Sequence, residues 1–210
     1  MVDPYFSNSV GKKNPEKNRR IEADLSFLSN TPDILIVTHC HLDHLDPETL
    51  DMIFRKADKA MTVICPESCF EKLEGYGANH NYVMLNPHSV WSERGVTVYA
   101  VKAEHSDRFA AGYIIDDGNK TFYVSGDTLY NYDVIDEVLE LCEDGVDYAF
   151  VPINGVGNNM NITDAADFVY EIGAKRAVPI HYGLFDSIDP QGFDFEDKLI
   201  LKPYEPTVLK

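Results

Sequence analysis

The run Thr38-His39-Cys40-His41-Leu42-Asp43-His44, entered directly from the apolar Ile34-Leu35-Ile36-Val37, constrains this chain more than any other stretch. It places three imidazoles and a carboxylate within six residues at the end of an expected β-strand. Neutral imidazole nitrogen and ionised carboxylate oxygen are ordinary ligands of zinc, manganese and iron, and a stiff strand keeps a loop of such ligands in place. In extended backbone, residues two apart point to the same side, so His39 and His41 share one side. A tight turn after them swings Asp43 and His44 toward a neighbouring position. One loop can then serve two metals, provided the rest of the chain supplies partners; a merely solvated histidine-rich turn would need none.

Partners are found wherever another apolar run stops at a His or an Asp. Val96 to Val101 leads to Glu104-His105, Thr121 to Val124 leads to Ser125-Gly126-Asp127, and Arg176 to Ile180 leads to His181. Ligands gathered from distant positions at the ends of strands are what a rigid scaffold with a metal site at one rim produces. His80 and His88 stand outside this pattern: Gly75 to Pro87 is polar and turn-rich, and both histidines read as surface residues.

The remaining pattern alternates strands and helices. Asp46-Pro47-Glu48 reads as an N-cap, a first-turn proline and an acid at the positive end of the helix dipole, before Leu50, Ile53, Phe54 and Ala57 at amphipathic spacing. Asp46 is therefore a cap rather than a further ligand. Met61 to Cys65 reads as a strand, Glu67 to Leu73 as a short helix, and Val96 to Asp127 as three strands with a turn at Asp116 to Asn119. Tyr132 to Cys142 is helical, Tyr148 to Ile153 is a short buried strand, and Thr163 caps a helix that ends before Gly173. Gly11 to Arg20 is the one linker-like stretch. Periodicity alone permits a doubly wound α/β fold as well as a layered one.

These residues bring in a resemblance. The His-x-His-x-Asp-His signature at His39, His41, Asp43 and His44, with the stations at His105, Gly126-Asp127 and His181, resembles the metallo-β-lactamase-fold hydrolases over nearly the whole chain. Asp3-Pro4-Tyr5-Phe6-Ser7, Gly157 to Asn161, Pro179-Ile180-His181-Tyr182 and Leu201 to Tyr204 look most like the L-ascorbate-6-phosphate lactonase group. The resemblance implies an α/β (α+β) four-layer αββα sandwich in a single domain, 1–210. It also implies two divalent metal ions, manganese or zinc: one on His39, His41 and His105, the other on Asp43, His44 and His181, with Asp127 bridging. The nucleophile it implies is a hydroxide held between the ions, with Asp43 and Asp127 as the catalytic carboxylates. Such enzymes carry several strands before the Asp-Pro-Tyr segment, whereas here Met1-Val2-Asp3 falls in the tail of one. A first sheet short of its opening strands, with an exposed edge and an uncovered core face, is expected, and a homo-oligomer is one way to complete it.

Composition bounds the function. At 210 residues and 44% hydrophobic content the chain supports one sizeable core. Eighteen basic against 35 acidic side chains leave a formal charge of −17, the wrong field for a nucleic-acid partner. Cys40, Cys65, Cys69 and Cys142 form no Cys-x-x-Cys pair, and the N-terminus lacks the layout of a signal peptide, which favours a reducing cytoplasm. Cys40 is expected to point away from the ligands on either side of it, and Cys65 and Cys69 to be buried thiols. No stretch approaches the ~20 apolar residues of a membrane span.

The expected substrate is a small anionic molecule, a phosphorylated one among the candidates, carrying a lactone or a phosphodiester. Arg108 is a candidate oxyanion clamp, with a surface pair to Asp107 as the alternative. Asn158, in the polar Gly155 to Asn159 loop ahead of a helix N-terminus, and Tyr182, beside His181, are the other candidate substrate contacts. Glutathione-thioester hydrolases share the histidine signature but add a C-terminal helical domain, for which the residues after His181 are too few. A metal-binding remnant or interaction subunit without turnover is the non-enzymatic alternative.

Overall fold

The computed structural model describes residues 1–209. Two sheets form. β1 (Ile34–Ile36), β2 (Thr62–Cys65) and β3 (Asn81–Met84) pair in parallel in that order. β4 (Val90–Glu93), β5 (Val96–Lys102), β6 (Ala111–Asp116), β7 (Thr121–Val124), β8 (Tyr148–Pro152) and β9 (Arg176–Ile180) make the larger sheet, antiparallel as far as β7 and parallel from β7 to β9. Two sheets with antiparallel hairpins rule out the doubly wound alternative.

Side-chain alternation assembles the layers. In β1 and just after it, Leu35 and Val37 join the core formed with Leu50, Ile53 and Leu73, whereas Ile36 turns to the other face. Leu50 and Ile53 come from α2 (Pro47–Lys56) and Leu73 from α3 (Glu67–Glu74), numbered after a short α1 (Ser9–Lys13). Between the sheets, Ile36, Ile64 and Leu85 meet Val98, Ala100, Ala111 and Tyr113. On the far side Tyr123, Ala149, Val151 and Ala177 pack on α4 (Tyr132–Leu141) and α5 (Ile162–Glu171), through Val134, Val138, Phe168 and Val169. The result is the expected helix, sheet, sheet, helix sandwich. Its largest apolar side chains each contribute on the order of 1.5–3 kcal/mol through burial. No helix among the described residues is long and apolar enough to cross a membrane.

Several local expectations are corrected. Gly75 to Pro87 is more than turns, because β3 lies within it and pairs with β2. As an edge strand it is only half covered, which explains its polar composition. His80 is tied in as well: its Nδ1 accepts from the Met61 N–H at 3.2 Å and its ring packs edge-on to Phe54. Val90–Glu93 is a further strand, pairing with β5, beyond the three expected between Val96 and Asp127. The cap of α5 is Asn161 rather than Thr163; its side chain accepts from the N–H groups of Thr163 and Asp164 while Asp164 reaches back, a reciprocal box that Thr163 cannot make from inside the helix. Asp46 caps α2 as expected, accepting from Glu48 and Thr49. Cys65 and Cys69 are buried, and burial pushes the Cys65 thiol up to about 12. Cys40 packs on the helix-backed core of the smaller sheet.

The segment 11–20 is not a free linker. It contains the end of α1 and a 3-10 turn at Pro15–Lys17, and Arg19 fastens it by donating to the carbonyls of Tyr5, Ser7 and Ile21 and to the Tyr204 hydroxyl. The outer edge of β1 is paired rather than bare: Met1 and Asp3 exchange backbone hydrogen bonds with Ile34 and Ile36. The smaller sheet leaves the inner face of the larger one partly open. Val124, Phe150 and Ile180 are half-buried there and line a cavity of about 1000 Å³ at the ligand-bearing end of the strands.

Candidate metal centre

Each ligand position follows from its element. Backbone bonds from His44 N and Leu45 N to the His41 carbonyl close a tight turn, and buried Leu45 anchors it, so one short loop after β1 presents His39, His41, Asp43 and His44. His105 follows β5, Asp127 follows β7 and His181 follows β9. Gly126 is required just before Asp127: its φ is +59°, and a Cβ there would meet Thr38 Cβ at 2.8 Å. His181, Asn158 and Asp3 also adopt left-handed backbone, at φ 56°, 63° and 41°. Strain of this kind costs on the order of 1–3 kcal/mol per residue and persists where the surroundings impose it.

All seven histidine and aspartate positions expected as ligands come together. His39 Nε2 and His105 Nε2 each lie 3.0 Å from His41 Nδ1, and all three group with an Asp127 oxygen so that the ligand atoms fall within 4.8 Å of one another. A second group joins Asp43, His44 and His181, with His44 Nε2 3.2 Å from His181 Nε2. Asp127 stands between the groups. Its Oδ2 is 4.0 Å from both His39 Nε2 and His105 Nε2, and its Oδ1 is 3.3 Å from both His44 Nε2 and His181 Nε2.

The outer partners decide which nitrogens face inward. Thr38 Oγ1 donates to Asp3 Oδ2 at 2.6 Å, so at 3.0 Å from His39 Nδ1 it is left to accept, and His39 Nε2 carries a bare lone pair. The carbonyl of Asn158 accepts from His105 Nδ1 at 3.1 Å, with the same consequence for His105 Nε2. Asp3 Oδ2 accepts from His44 Nδ1 at 2.8 Å, baring His44 Nε2. Bare nitrogens thus crowd each side of Asp127, whose Oδ1 is buried without a hydrogen-bond partner. Lone pairs at such separations repel unless a cation lies among them, so the donor set fits divalent metal.

Electrostatics divide the histidines into two sets. Burial and the neighbouring His44 push His39 down to about 3, and burial lowers His105. Burial also disfavours charged His44 and His181, but the carboxylates around them outweigh it and both are raised. Burial would raise Asp43 and Asp127; the surrounding imidazoles overcome it and hold both carboxyls far below the usual range.

Asp3, Asn159 and Asp107 are not among the site residues read from sequence, and Asn158, expected as a substrate contact, has a further role. Asp3 orients His44 directly and His39 through Thr38. Asn159 donates to Asp127 Oδ2 at 3.0 Å. Asp107 accepts from Cys40 N at 3.0 Å and Ser68 Oγ at 2.6 Å, joining the histidine loop to the His105 loop. The backbone carbonyl of Asn158 fixes His105, while its residue lines the cavity with Tyr182. Asp3 and Asn159 lie in stretches already singled out by motif, which was the only signal available. Arg108 does not line the cavity; it is exposed, with its guanidinium 4.4 Å over the Phe109 ring.

Sandwich, ligand positions and outer partners together define a metal-dependent hydrolase of the metallo-β-lactamase fold. Residues 1–182 match the model of the beta-lactamase superfamily domain. A UPF0173 metal-dependent hydrolase from Thermoplasma acidophilum is 31% identical over 203 residues, covering 92% of this chain and 80% of that protein. One from Staphylococcus aureus is 31% identical over 225 residues, covering 98% and 90%. The chain belongs to this UPF0173 metal-dependent hydrolase family within the beta-lactamase superfamily. Among solved structures, an isothiocyanate hydrolase from Delia radicum gut bacteria superposes with a TM-score of 0.72 at 17% identity, covering 99% of this chain and 91% of that one, a likeness of fold.

Proposed function

We propose that the chain hydrolyses a lactone or phosphodiester bond in a small anionic substrate at a centre of two divalent ions, manganese or zinc. One observation carries the reading: the two oxygens of Asp127 are shared between two groups of inward-facing imidazole nitrogens. In this assignment His39, His41 and His105 would hold one ion and Asp43, His44 and His181 the other, with Asp127 placed to serve both. Such a pair of cations lowers the pKa of a shared water and polarises the attacked carbonyl or phosphoryl oxygen.

The chain's own residues do the rest. Asp43, with Oδ2 3.5 Å from His181 Nε2, stays ionised and would accept a hydrogen bond from the attacking water, setting its direction. Asp3 and Asn158 hold the imidazole rings in the tautomers that ligate. Burial raises the Tyr182 phenol, so it remains a hydroxyl donor for a substrate oxygen in the cavity. The Asn158 side chain is a second polar contact on the cavity wall.

The test is elemental analysis of protein purified without added metal, followed by reloading and a screen of phosphorylated sugar lactones and activated phosphodiesters. About two equivalents of metal and turnover that disappears with a chelator are expected. Fully loaded protein that hydrolyses neither class would leave the metal-binding remnant as the better description.

A further inference from the structure

We infer that Lys13 and Lys17 form the oxyanion-recognition end of the substrate site and read a carboxylate or phosphate carried away from the scissile bond. This deepens the hydrolase reading above and rests on it. Both lysines line the same cavity as His41, Asp43 and His181, and both are exposed to it rather than packed. They lie on α1 and on the 3-10 turn that follows.

Commitment of the other charges singles them out. Lys12, next in the chain, is spent on Glu48 at 2.6 Å, whereas neither Lys13 nor Lys17 has a side-chain hydrogen bond or ion pair among the described residues. The acids lining the cavity are all engaged. Asp3 holds Thr38 and His44, Asp43 and Asp127 face the imidazoles, and Asp186 Oδ1 accepts from the N–H groups of Gly183 and Ile188. Lys13 and Lys17 are thus the cavity's lysine cations, uncommitted in a chain of formal charge −17. Their backbone is ordered by the turn bonds Asn14 N to Val10 O and Lys17 N to Asn14 O, and Arg19, just beyond, ties the segment to the carbonyls of Tyr5 and Ser7. The same cavity is lined by the apolar Val124, Phe150 and Ile180, and an ammonium that meets an oxyanion in a partly apolar cavity is screened less than one in open water. Arg108, the candidate from sequence, lies outside this cavity.

The experiment compares metal-loaded wild type, the double variant Lys13→Met/Lys17→Met and its Lys→Arg counterpart. The first readout is the ratio of kcat/KM for 6-phosphogluconolactone to that for uncharged gluconolactone. That ratio is expected to fall at least about ten-fold in the methionine variant, through KM, and to recover in the arginine one. The second readout is calorimetric binding of 6-phosphogluconate against gluconate, which needs no turnover. The phosphorylated acid is expected to bind more tightly to wild type, the preference to shrink with added salt, and to vanish in the methionine variant. A preference that survives the double substitution, a wild type with none, or a loss caused instead by Arg108→Met overturns the assignment. Loaded protein that binds the two acids with the expected preference yet hydrolyses neither these lactones nor activated phosphodiesters sinks the catalytic reading and leaves the lysine assignment standing.

Discussion

The two halves of the metal centre hold chemically similar side chains by opposite means. Around His39, His41 and His105 the outer partners are neutral: the Thr38 hydroxyl, the Asn158 carbonyl and the Ser106 hydroxyl, 3.2 Å from His41 Nε2. Around His44 the outer partner is the carboxylate of Asp3, and Asp127 comes to 3.3 Å of His44 and His181 with Asp43 3.5 Å from His181, against 4.0 Å between Asp127 and both His39 and His105. Burial therefore wins in the first half, where His39 is driven down to about 3, and negative charge wins in the second, where both histidines are raised. His39 and His105 are thus held in the neutral form, whereas a metal seated beside His44 and His181 would have to displace protons that the carboxylates favour.

The largest expected effect tests what joins the halves. Asp127→Ala removes the one carboxylate shared by both groups, and metal content should fall in both. Turnover should drop by at least about a hundredfold, the upper range for losing even an outer ligand partner. Retained metal-dependent turnover would show that Asp127 does not bridge. Next come His105→Ala and His181→Ala, each expected to cost about one metal equivalent while the other half stays filled. If either variant loses both ions by elemental analysis, the halves are one cooperative site and do not bind metal by different means.

Asp3→Asn sharpens the comparison. Its two oxygens serve Thr38 N, Thr38 Oγ1 and His44 Nδ1, and an amide cannot accept all three. A 10- to 100-fold weakening of metal affinity, concentrated in the His44 half, is expected from competitive chelator titration. Equal weakening of both halves would mean that the relay through Thr38 to His39 matters as much as the direct bond.

The smallest effect belongs to Asp107, which braces the first half from behind. Burial would raise its carboxyl, but hydrogen bonds from Ser68, Phe109 and Cys40 more than offset this and hold it near 2 against an ordinary 3.8. Because the folded pKa lies below the unfolded one, the stabilisation is complete above pH 3.8 and is lost as the pH falls toward 2. Asp107→Asn should cost about 1–3 kcal/mol in urea unfolding at neutral pH. The difference from wild type should shrink in acid; a difference independent of pH would assign it to packing.

Much of this site is legible without coordinates. Apolar runs stopping at His or Asp mark strand ends, and ligand chemistry is a property of side-chain type, so all seven ligand candidates follow from reading along the chain. Errors gather where local signals are weak. β3 is an edge strand with a polar face, and the cap of α5 depends on which of several neighbouring polar residues reaches back. The segment 11–20 resembles a linker because what orders it is Arg19, whose partner Tyr204 is 185 residues away.

The sequence by itself determined the kinds of ligand, their places at strand ends and the alternation that builds a layered sandwich, because each depends on residue type and short-range periodicity. Tertiary structure alone decided how those ligands divide around Asp127, which nitrogens they present and which cations face the cavity. Asp3 meets His44 across 41 residues and His44 meets His181 across 137, and contacts that distant are set by how sheets pack on one another rather than by any local preference of the chain.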